Sequence, residues 1–367
     1  MILMNDFKAE QPELREAMLT AAKRVIESGW YVLGNEVTAF EKQWASICGV
    51  GDGVGVGNGM DAIEIALRAL DIGLGDEVIT APMTAFATVL AIMRAGATPV
   101  LADIDPDTAL LDIASVRRCV SVKTKAVLLV HLYGQIRDMD PWLSLCDEGG
   151  IVLIEDCAQA HLAATRGRVA GAFGMAGAYS FYPTKNLGAL GDAGMLVSQD
   201  RVLAGRARQI RNYGQSERYH HPQIGLNSRL DEMQAALLTE RLAWLESFTF
   251  RRQAVAERYR AEITNPLIRQ LAAPVEKSAH VYHLFVVKCD ARDALQKHLE
   301  AHGVQSLIHY PVPMHSQAPC AGLRCDPEGL ANSEAHAQTC LSLPCHPQLS
   351  EADVSKVIQA VNAFGGA

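Results

Sequence analysis

The stretch GAYSFYPTKNLGALGDAG, residues 177–194, sets a single lysine, Lys185, among glycines, alanines and aromatic residues. No other charged residue occurs between Ala172 and Gly191. Burying an ammonium group without a partner costs enough free energy that the group tends to lose its proton instead. A desolvated lysine is nucleophilic when neutral and can form a Schiff base with an aldehyde. The stretch therefore predicts a reactive lysine, and the alternative is a lysine with a structural role alone.

Strand and helix patterns alternate along the chain around this lysine. Short apolar, partly β-branched runs of the kind found in strands buried on both faces are EVITAP, TPVLADI, AVLLVHLYG and IVLIEDCA, and GAYSFYP and GDAGMLVS continue the series. Helical patterns occupy residues 12–28 and 37–48 and follow several of the strands. This alternation predicts an α/β fold, a three-layer sandwich with a mostly parallel sheet.

The pattern changes from Asn227 onward. A long helical pattern, with a break expected near Phe248, precedes a strand, a helix, a proline-rich loop and a closing helix. A chain of 367 residues also favours two structural units over one. We therefore expect a large α/β domain over residues 1–245 and a small α+β domain over residues 246–367.

The composition excludes several classes of protein. The chain is 49% hydrophobic and 20% charged, which is typical of a globular protein. Its net charge is −8 and its basic residues are scattered, so neither nucleic acid nor an anionic membrane is an expected partner. The N-terminus lacks a basic segment followed by an apolar one, and no run approaches membrane-spanning length. A cytoplasmic protein is therefore expected.

The nine cysteines do not suggest a disulfide framework, because their number is odd and their spacing irregular. Free thiols in a reducing compartment fit better. Residues that could suggest zinc occur near the C-terminus, namely Cys320, Cys325, Cys340, Cys345, His315, His336 and His346. Structural zinc sites prefer C-x2-C spacing, which these residues lack, so no metal is expected.

A second signal is the glycine turn within GVGNGMDAIEIALRAL, residues 55–70. A turn of this kind that opens a helix leaves backbone N–H groups free at the positive end of the helix dipole, which suits a phosphate. The turn also matches the looser dinucleotide pattern G-x-G-x-x-A. That pattern needs an acid at the end of the next strand, whereas Asp76 and Glu77 stand before it. A phosphate site is favoured, with a nicotinamide site and a plain packing turn as alternatives.

Two further signals complete a binding pocket. Phe86 follows a strand and could stack on a planar heterocycle, although phenylalanine is usually a core residue. Asp156 ends a buried strand, at the edge where open α/β sheets bind ligands, and the alternative is an aspartate that caps a helix. Each of these four features suits one part of pyridoxal 5′-phosphate. The glycine turn suits its phosphate and the aromatic ring suits its ring face. The acid suits its ring nitrogen, and Lys185 suits its aldehyde. The sequence therefore predicts this cofactor.

The motifs together resemble the DegT/DnrJ/EryC1/StrS sugar aminotransferases, a family of fold-type I pyridoxal phosphate enzymes. They include SGWYVLGNEVTAFEKQWA, IEDCAQAHLA, SFYPTKNLGALGDAG and GLNSRLDEMQAALL. The resemblance implies that Lys185 is the Schiff-base lysine and that Asp156 contacts the pyridine nitrogen. It assigns the remaining cofactor contacts to Gly59 and Met60 (amides at the phosphate), Phe86 (ring face), Gln159 (ring hydroxyl), Ser180 (phosphate) and Asn227 (phosphate of the neighbouring subunit). A homodimer with shared active sites is therefore expected.

The chain departs from the family pattern at two places. Where the family usually has Ser-Gly-Thr-Asp, this chain has Asn58-Gly59-Met60-Asp61, so a hydroxyl donor to the phosphate is lost. Leu162 stands where glycine is common. Members that dehydrate their sugar carry histidine at the position of Lys185, so the lysine argues against that activity.

The substrate is expected from the loop HYPVPMHSQ, residues 309–317. It resembles the loop of members that aminate C3 of dTDP-linked 3-keto-6-deoxyhexoses. The resemblance implies transfer of an amino group from glutamate, giving 2-oxoglutarate, to a nucleotide-linked keto-deoxysugar used in deoxysugar or glycan biosynthesis. Substrate contacts are expected from Tyr31, His309, Tyr310 and His315. Alternatives are amination at C4, a dehydratase, and a regulatory protein that binds the same cofactor.

Overall fold

Twelve strands and twelve α-helices are formed by residues 1–366, which the computed structural model describes. The strands are β1 (Asp52–Val56), β2 (Glu77–Thr80), β3 (Thr98–Leu101), β4 (Thr124–Val130), β5 (Val152–Asp156), β6 (Ala164–Thr165), β7 (Arg168–Val169), β8 (Ala176–Ser180), β9 (Gly194–Ser198), β10 (Arg269–Gln270), β11 (Phe285–Lys288) and β12 (Cys340–Leu343). The helices are α1 (Pro12–Ser28), α2 (Asn35–Cys48), α3 (Gly59–Ala69), α4 (Phe86–Arg94), α5 (Ile113–Cys119), α6 (Asp140–Gly149), α7 (Arg201–Ile210), α8 (Glu232–Leu242), α9 (Leu245–Glu262), α10 (Arg292–Ala301), α11 (Ala331–Thr339) and α12 (Glu351–Asn362).

Seven strands form one sheet in the order β1-β9-β8-β5-β4-β2-β3. Every neighbouring pair from β3 to β8 is parallel, whereas β9 is antiparallel to both β8 and β1. The carboxyl ends of the parallel strands share one edge, where Val130 pairs with Asp156 and Asp156 pairs with Ala178. The predicted mostly parallel sheet is confirmed.

Apolar side chains on both faces explain why the strands are continuous hydrophobic runs. In β4, Val127 and Leu129 join the core that contains Trp44 of α2, while Leu128 joins the core that contains Ile65 of α3. Because helices cover both faces, a central strand needs no polar face. This is the predicted three-layer sandwich.

A smaller α+β unit follows in the chain. Strands β10, β11 and β12 form an antiparallel sheet, and a third core joins β11 and β12 to α9, α10 and α12. The N-terminal Ile2 packs into this core, and its backbone N–H donates to the Gly303 oxygen at 2.8 Å. The domain boundary predicted at residues 245/246 falls on the first residues of α9, and the division remains a prediction.

The expected break in the long helical pattern lies earlier than predicted. Helix α8 ends at Leu242 and α9 begins at Leu245, whereas Phe248 lies inside α9 and donates its N–H to the Trp244 oxygen at 2.9 Å. Phe248 is buried against α1 and α8. The break near Phe248 was therefore wrong, because an aromatic residue that packs between helices does not interrupt one.

All nine cysteines are free and eight of them are buried. Among residues 1–366, one group of three potential metal ligands lies close together, namely His131, Glu155 and Cys157. The cysteines and histidines near the C-terminus that could suggest zinc form no such group within that range. No helix in the described part of the chain combines the length and apolar character that crossing a bilayer requires.

Candidate active site

The side chains predicted to bind the cofactor meet at the carboxyl edge of the large sheet. Strand β5 ends at Asp156 and the neighbouring β8 ends at Ser180, five residues before Lys185. Helix α3 begins at Gly59 beside the same strand ends. Parallel strands bring their carboxyl ends together, so residues distant in the chain share one cleft.

The N-terminus of α3 is pressed against the ends of β8 and β9. A Cβ at Gly59 would lie 2.6 Å from Ser180 Cβ, and one at Gly194 would lie 2.3 Å from the Asn58 carbonyl carbon. Only glycine fits at either position. Asn58 caps the helix, because its Oδ1 accepts from Asp61 N–H at 2.9 Å.

This cap leaves two amides free for a ligand. Within residues 1–366, neither Gly59 N–H nor Met60 N–H donates to an oxygen of the chain. Free amides at the positive end of an eleven-residue helix attract an anion. The cradle therefore fits a phosphate group, and the phosphate site at Gly59 and Met60 remains a prediction.

Asp156 is a buried carboxylate with two hydrogen bonds. Its Oδ2 accepts from Thr88 Oγ1 at 2.8 Å and its Oδ1 from Ala158 N–H at 3.1 Å. Burial raises its pKa, while these hydrogen bonds and the charge of Lys185 act in the opposite direction. Residues 157–163 form turns and no helix, so the helix-cap alternative was wrong. A buried acid of this kind can pair with a protonated ring nitrogen.

The neighbouring Glu155 has a different role. It accepts hydrogen bonds from His131 at 2.8 Å and from three amides of the Gly171–Gly174 turn at 2.7 to 2.8 Å. Burial alone would raise its pKa, but His131 and these amides lower it. Because adjacent residues of a strand face opposite sides, Glu155 anchors a turn and Asp156 faces the cleft. Its oxygens already have four donors, so this group does not indicate a metal site.

Lys185 lies in the loop after β8 and is partly buried. Burial lowers its pKa to about 8, and the negative charge of Asp156 opposes this shift. In the described part of the chain, no hydrogen bond or ion pair holds its Nζ atom. A free amine with a lowered pKa suits reaction with an aldehyde, so the residues present fit pyridoxal 5′-phosphate.

Three uncharged histidines surround Lys185. Burial lowers the pKa of His161 to about 3 and of His309 to about 4, and it lowers the pKa of His283 well below the usual value. The positive charge of Lys185 adds to each shift. The neutral histidines leave Asp156 as the charge that acts on Lys185. His283 was missed by the sequence reasoning, because it lies in an apolar strand pattern with no motif around it.

The proline-rich loop at residues 309–317 reaches the same cleft. Gln159 donates through Nε2 to the Tyr310 hydroxyl at 3.3 Å, and its Oε1 accepts from Tyr133 N–H at 2.5 Å. Met314 N–H donates to the Pro82 oxygen at 2.9 Å, which fixes the loop beside the end of β2. The structure thus brings Gln159 and Tyr310 together. Tyr133 and Thr88 were not among the predicted residues.

Four further predicted residues have other contacts or are exposed. Phe86 begins α4 and packs against the core that contains Met314. His315 pairs with Glu334 at 3.2 Å. Tyr31 is exposed in the loop before α2, and Asn227 is exposed with its side chain bonded to Arg229. Their contacts with cofactor or substrate remain predictions.

Known proteins resemble the whole chain. The profile of the DegT/DnrJ/EryC1/StrS aminotransferase family matches residues 12–362. A dTDP-3-amino-3,4,6-trideoxy-alpha-D-glucose transaminase from Streptomyces venezuelae is 45% identical over 98% of this chain and 95% of its own. A dTDP-3-amino-3,6-dideoxy-alpha-D-galactopyranose transaminase from Aneurinibacillus thermoaerophilus is 44% identical over 97% and 96%. The crystal structure of DesV from S. venezuelae with a ketimine intermediate superposes with a TM-score of 0.95 at 44% identity, over 98% and 97% of the two chains.

These similarities confirm the resemblance that the motifs indicated. They span the large sheet and the smaller unit alike, which confirms the predicted fold class. They also confirm an aminotransferase with pyridoxal 5′-phosphate as its cofactor, and they make the nicotinamide interpretation wrong. The chain belongs to the DegT/DnrJ/EryC1/StrS aminotransferase family.

Proposed function

We propose that this aminotransferase moves the amino group of glutamate to C3 of a dTDP-linked 3-keto-6-deoxyhexose. We further propose that it acts as a homodimer in the cytoplasm. The observation that supports this most is the convergence of Lys185, Asp156 and the 309–315 loop on one edge of the sheet. A reactive amine, an acid for the ring nitrogen and a candidate sugar-binding loop then share one cleft.

The residues of the cleft would each contact a different part of the cofactor. The free amides of Gly59 and Met60, with the Ser180 hydroxyl, would hold the phosphate. Asp156 would keep the ring nitrogen protonated, and Phe86 would cover one ring face. When bound, pyridoxal 5′-phosphate supplies an electron sink for bonds broken at the amino-bearing carbon.

Lys185 is assigned the proton transfers. Its Nζ atom would take the proton from the amino-bearing carbon of glutamate and later deliver a proton to the carbon of the sugar. Its pKa of about 8 lies close to neutral pH, so both of its protonation states are accessible. The neutral histidines around it leave Asp156 as its charged neighbour.

Two observations support C3 of a dTDP-linked sugar. The names of both relatives described above place the amino group at C3 of such a sugar. The loop that bears His309 and Tyr310 is fixed over the cleft by Gln159 and Pro82, so it can hold the sugar in one orientation. A displacement of the reacting atom by about 1 Å can reduce the rate on the order of a hundredfold. Tyr31 and His315 are proposed to extend this substrate site.

Exposed apolar residues near the cleft support a homodimer. Tyr182 and Leu190 flank Lys185 and are 51% and 60% exposed, and Ile224, close to Asn227, is 86% exposed. Exposed apolar side chains can mark a surface that contacts a binding partner. A second copy would cover them and bring its Asn227 to the phosphate. The nine free cysteines support a reducing compartment such as the cytoplasm.

A substrate panel tests the function. The holoenzyme is incubated with glutamate and dTDP- or UDP-linked sugars that carry a keto group at C3 or C4, and 2-oxoglutarate and aminosugar are measured. We expect equal amounts of both products with the dTDP-linked 3-keto sugars and none with the Lys185→Ala variant. Failure of every keto sugar, with other acceptors aminated instead, would contradict the proposed substrate class.

A further inference from the structure

Tyr133 lies at the centre of a buried hydrogen-bond network between the large sheet and the substrate loop. It follows β4 and has a φ of 63°, a left-handed conformation that is unfavourable for a bulky residue. Its hydroxyl donates to the His309 backbone oxygen at 2.5 Å and lies 2.8 Å from His336 Nε2. Its backbone N–H donates to Gln159 Oε1 at 2.5 Å. One residue therefore contacts the loop, α11 and the segment after β5.

The positions of the protons in this network can be derived. A tyrosine hydroxyl has one hydrogen, and a carbonyl oxygen can only accept. Because Tyr133 donates to the His309 oxygen, His336 Nε2 must carry a hydrogen and donate to Tyr133. His336 is buried, and burial lowers its pKa to about 4, so it is neutral near pH 7. The His336 N–H therefore donates to the Tyr133 hydroxyl, and that hydroxyl donates to the His309 backbone oxygen.

The network holds the loop at two points. Tyr133 contacts the His309 backbone directly and reaches Tyr310 through Gln159. The side chain of His309 is fixed separately by Ser342 Oγ at 2.8 Å. The Tyr133 hydroxyl therefore holds the His309 backbone oxygen, while the His309 ring has its own support.

We infer that Tyr133 is a positioning residue that sets the backbone of His309 and the hydroxyl of Tyr310 for the ketosugar. This inference rests on the proposed function. Tyr133 is nearly fully buried and acts through its neighbours. In the proposed function the loop binds the ketosugar, so we expect the half-reaction with the ketosugar to depend on Tyr133 more strongly than the half-reaction with glutamate does.

The variant Tyr133→Phe tests this role in the holoenzyme. It keeps the ring and leaves the His309 oxygen and His336 N–H without their partner, which disturbs the loop. We expect kcat/KM for the dTDP-linked 3-keto sugar to fall about 10- to 100-fold. The glutamate half-reaction, followed by the absorbance of the cofactor, should change less than about twofold, and the spectrum and cofactor affinity should stay as in the wild type.

Two further variants separate positioning from stability. Tyr259→Phe removes another buried hydroxyl that donates to a backbone oxygen, at Pro344, in the core of the small unit. It should lower Tm by a similar amount and leave ketosugar kinetics unchanged. His336→Gln keeps an N–H donor near the position of Nε2 and should retain most of the activity, whereas His336→Leu should behave like Tyr133→Phe.

The outcomes are distinguishable. If the wild type aminates the ketosugar and Tyr133→Phe does so equally well, or if both half-reactions fall together, the inference is wrong and the proposed function stands. If the wild type aminates no ketosugar, the proposed function and this inference are both overturned.

Discussion

Thr88 and Asp156, 68 residues apart in the chain, are joined by a hydrogen bond of 2.8 Å from the threonine hydroxyl to the carboxylate. Thr88 lies in the first turn of α4 and Asp156 ends β5, so the bond links a helix to the edge of the sheet. The Thr84 hydroxyl lies 2.7 Å from that of Thr88 and extends the network. Burial raises the pKa of Asp156, and the Thr88 bond counteracts that effect. Thr88 therefore helps to keep the acid ionised.

The substitution Asp156→Asn should reduce transamination at least about 100-fold while some cofactor is retained, because an amide cannot stabilise a protonated ring nitrogen as a carboxylate does. Thr88→Val removes one hydrogen bond to the acid and should reduce kcat by about 3- to 10-fold. Steady-state kinetics with glutamate measure both effects. Near-native turnover in Asp156→Asn would show that the carboxylate only holds the turn at Ala158.

The lowered pKa of Lys185 should appear in the uptake of cofactor by the apoenzyme. Only the neutral amine attacks the aldehyde, and burial lowers the Lys185 pKa to about 8. The uptake rate, followed by absorbance, should therefore rise with pH through a midpoint near 8. Asp156→Asn removes the charge that raises this pKa, so its midpoint should be lower. A midpoint near the ordinary lysine value of about 10.4 would contradict the desolvated site.

Asn227 should act across the subunit interface. A hybrid of one Lys185→Ala subunit and one Asn227→Ala subunit contains one site with both wild-type residues, if each site takes its asparagine from the other subunit. Mixing the two inactive variants under exchange conditions should then restore up to about half of the wild-type activity per dimer. Hybrids that form, as native mass spectrometry can verify, and remain as inactive as their parents would contradict a shared site.

Acid should destabilise the protein through its buried histidines. Burial lowers the pKa of four of them to about 3 or 4, namely His161, His280, His309 and His336. Unfolded histidines titrate near 6.5, so between about pH 6.5 and 4 the unfolded state binds protons that the folded state does not. The free energy of unfolding should therefore fall as the pH decreases through this range.

The variant His161→Phe tests how much one buried histidine contributes to this pH dependence. The His161 ring is fully buried and packs against Trp44, Tyr179 and Phe181. The variant should unfold with a pH slope about one proton smaller near pH 5, a difference of about 1.4 kcal/mol per pH unit. Denaturant titrations at several pH values measure it, and an unchanged slope would refute the assignment.

The sequence predicted those parts of the site that follow local rules. Asp156 ends an apolar run and Lys185 stands alone in an uncharged segment, so each could be assigned without its partners. Thr88 and Tyr133 could not, because their partners lie 68 and 203 residues away. Neither residue belongs to a recognisable sequence motif, and only the folded chain shows their contacts.

The sequence did not predict strand β1, because its glycines are typical of a turn. In β1, a Cβ at Gly53 would lie 2.8 Å from the Glu41 oxygen and one at Gly55 would lie 2.9 Å from Leu230 Cβ. The strand needs glycine because other segments approach its backbone closely, and the sequence DGVGV therefore resembles a turn. The break between α8 and α9 was misplaced for a related reason, since no glycine or proline marks residues 243–244.

The central claim, that Lys185 holds the cofactor, is tested most directly by locating the attachment site. The purified holoenzyme is reduced with sodium borohydride, digested, and analysed by mass spectrometry. We expect one pyridoxyl group, on Lys185 in the peptide that contains SFYPTKNLGALGDAG. A pyridoxyl group on any other lysine, with Lys185 unmodified, would contradict the account.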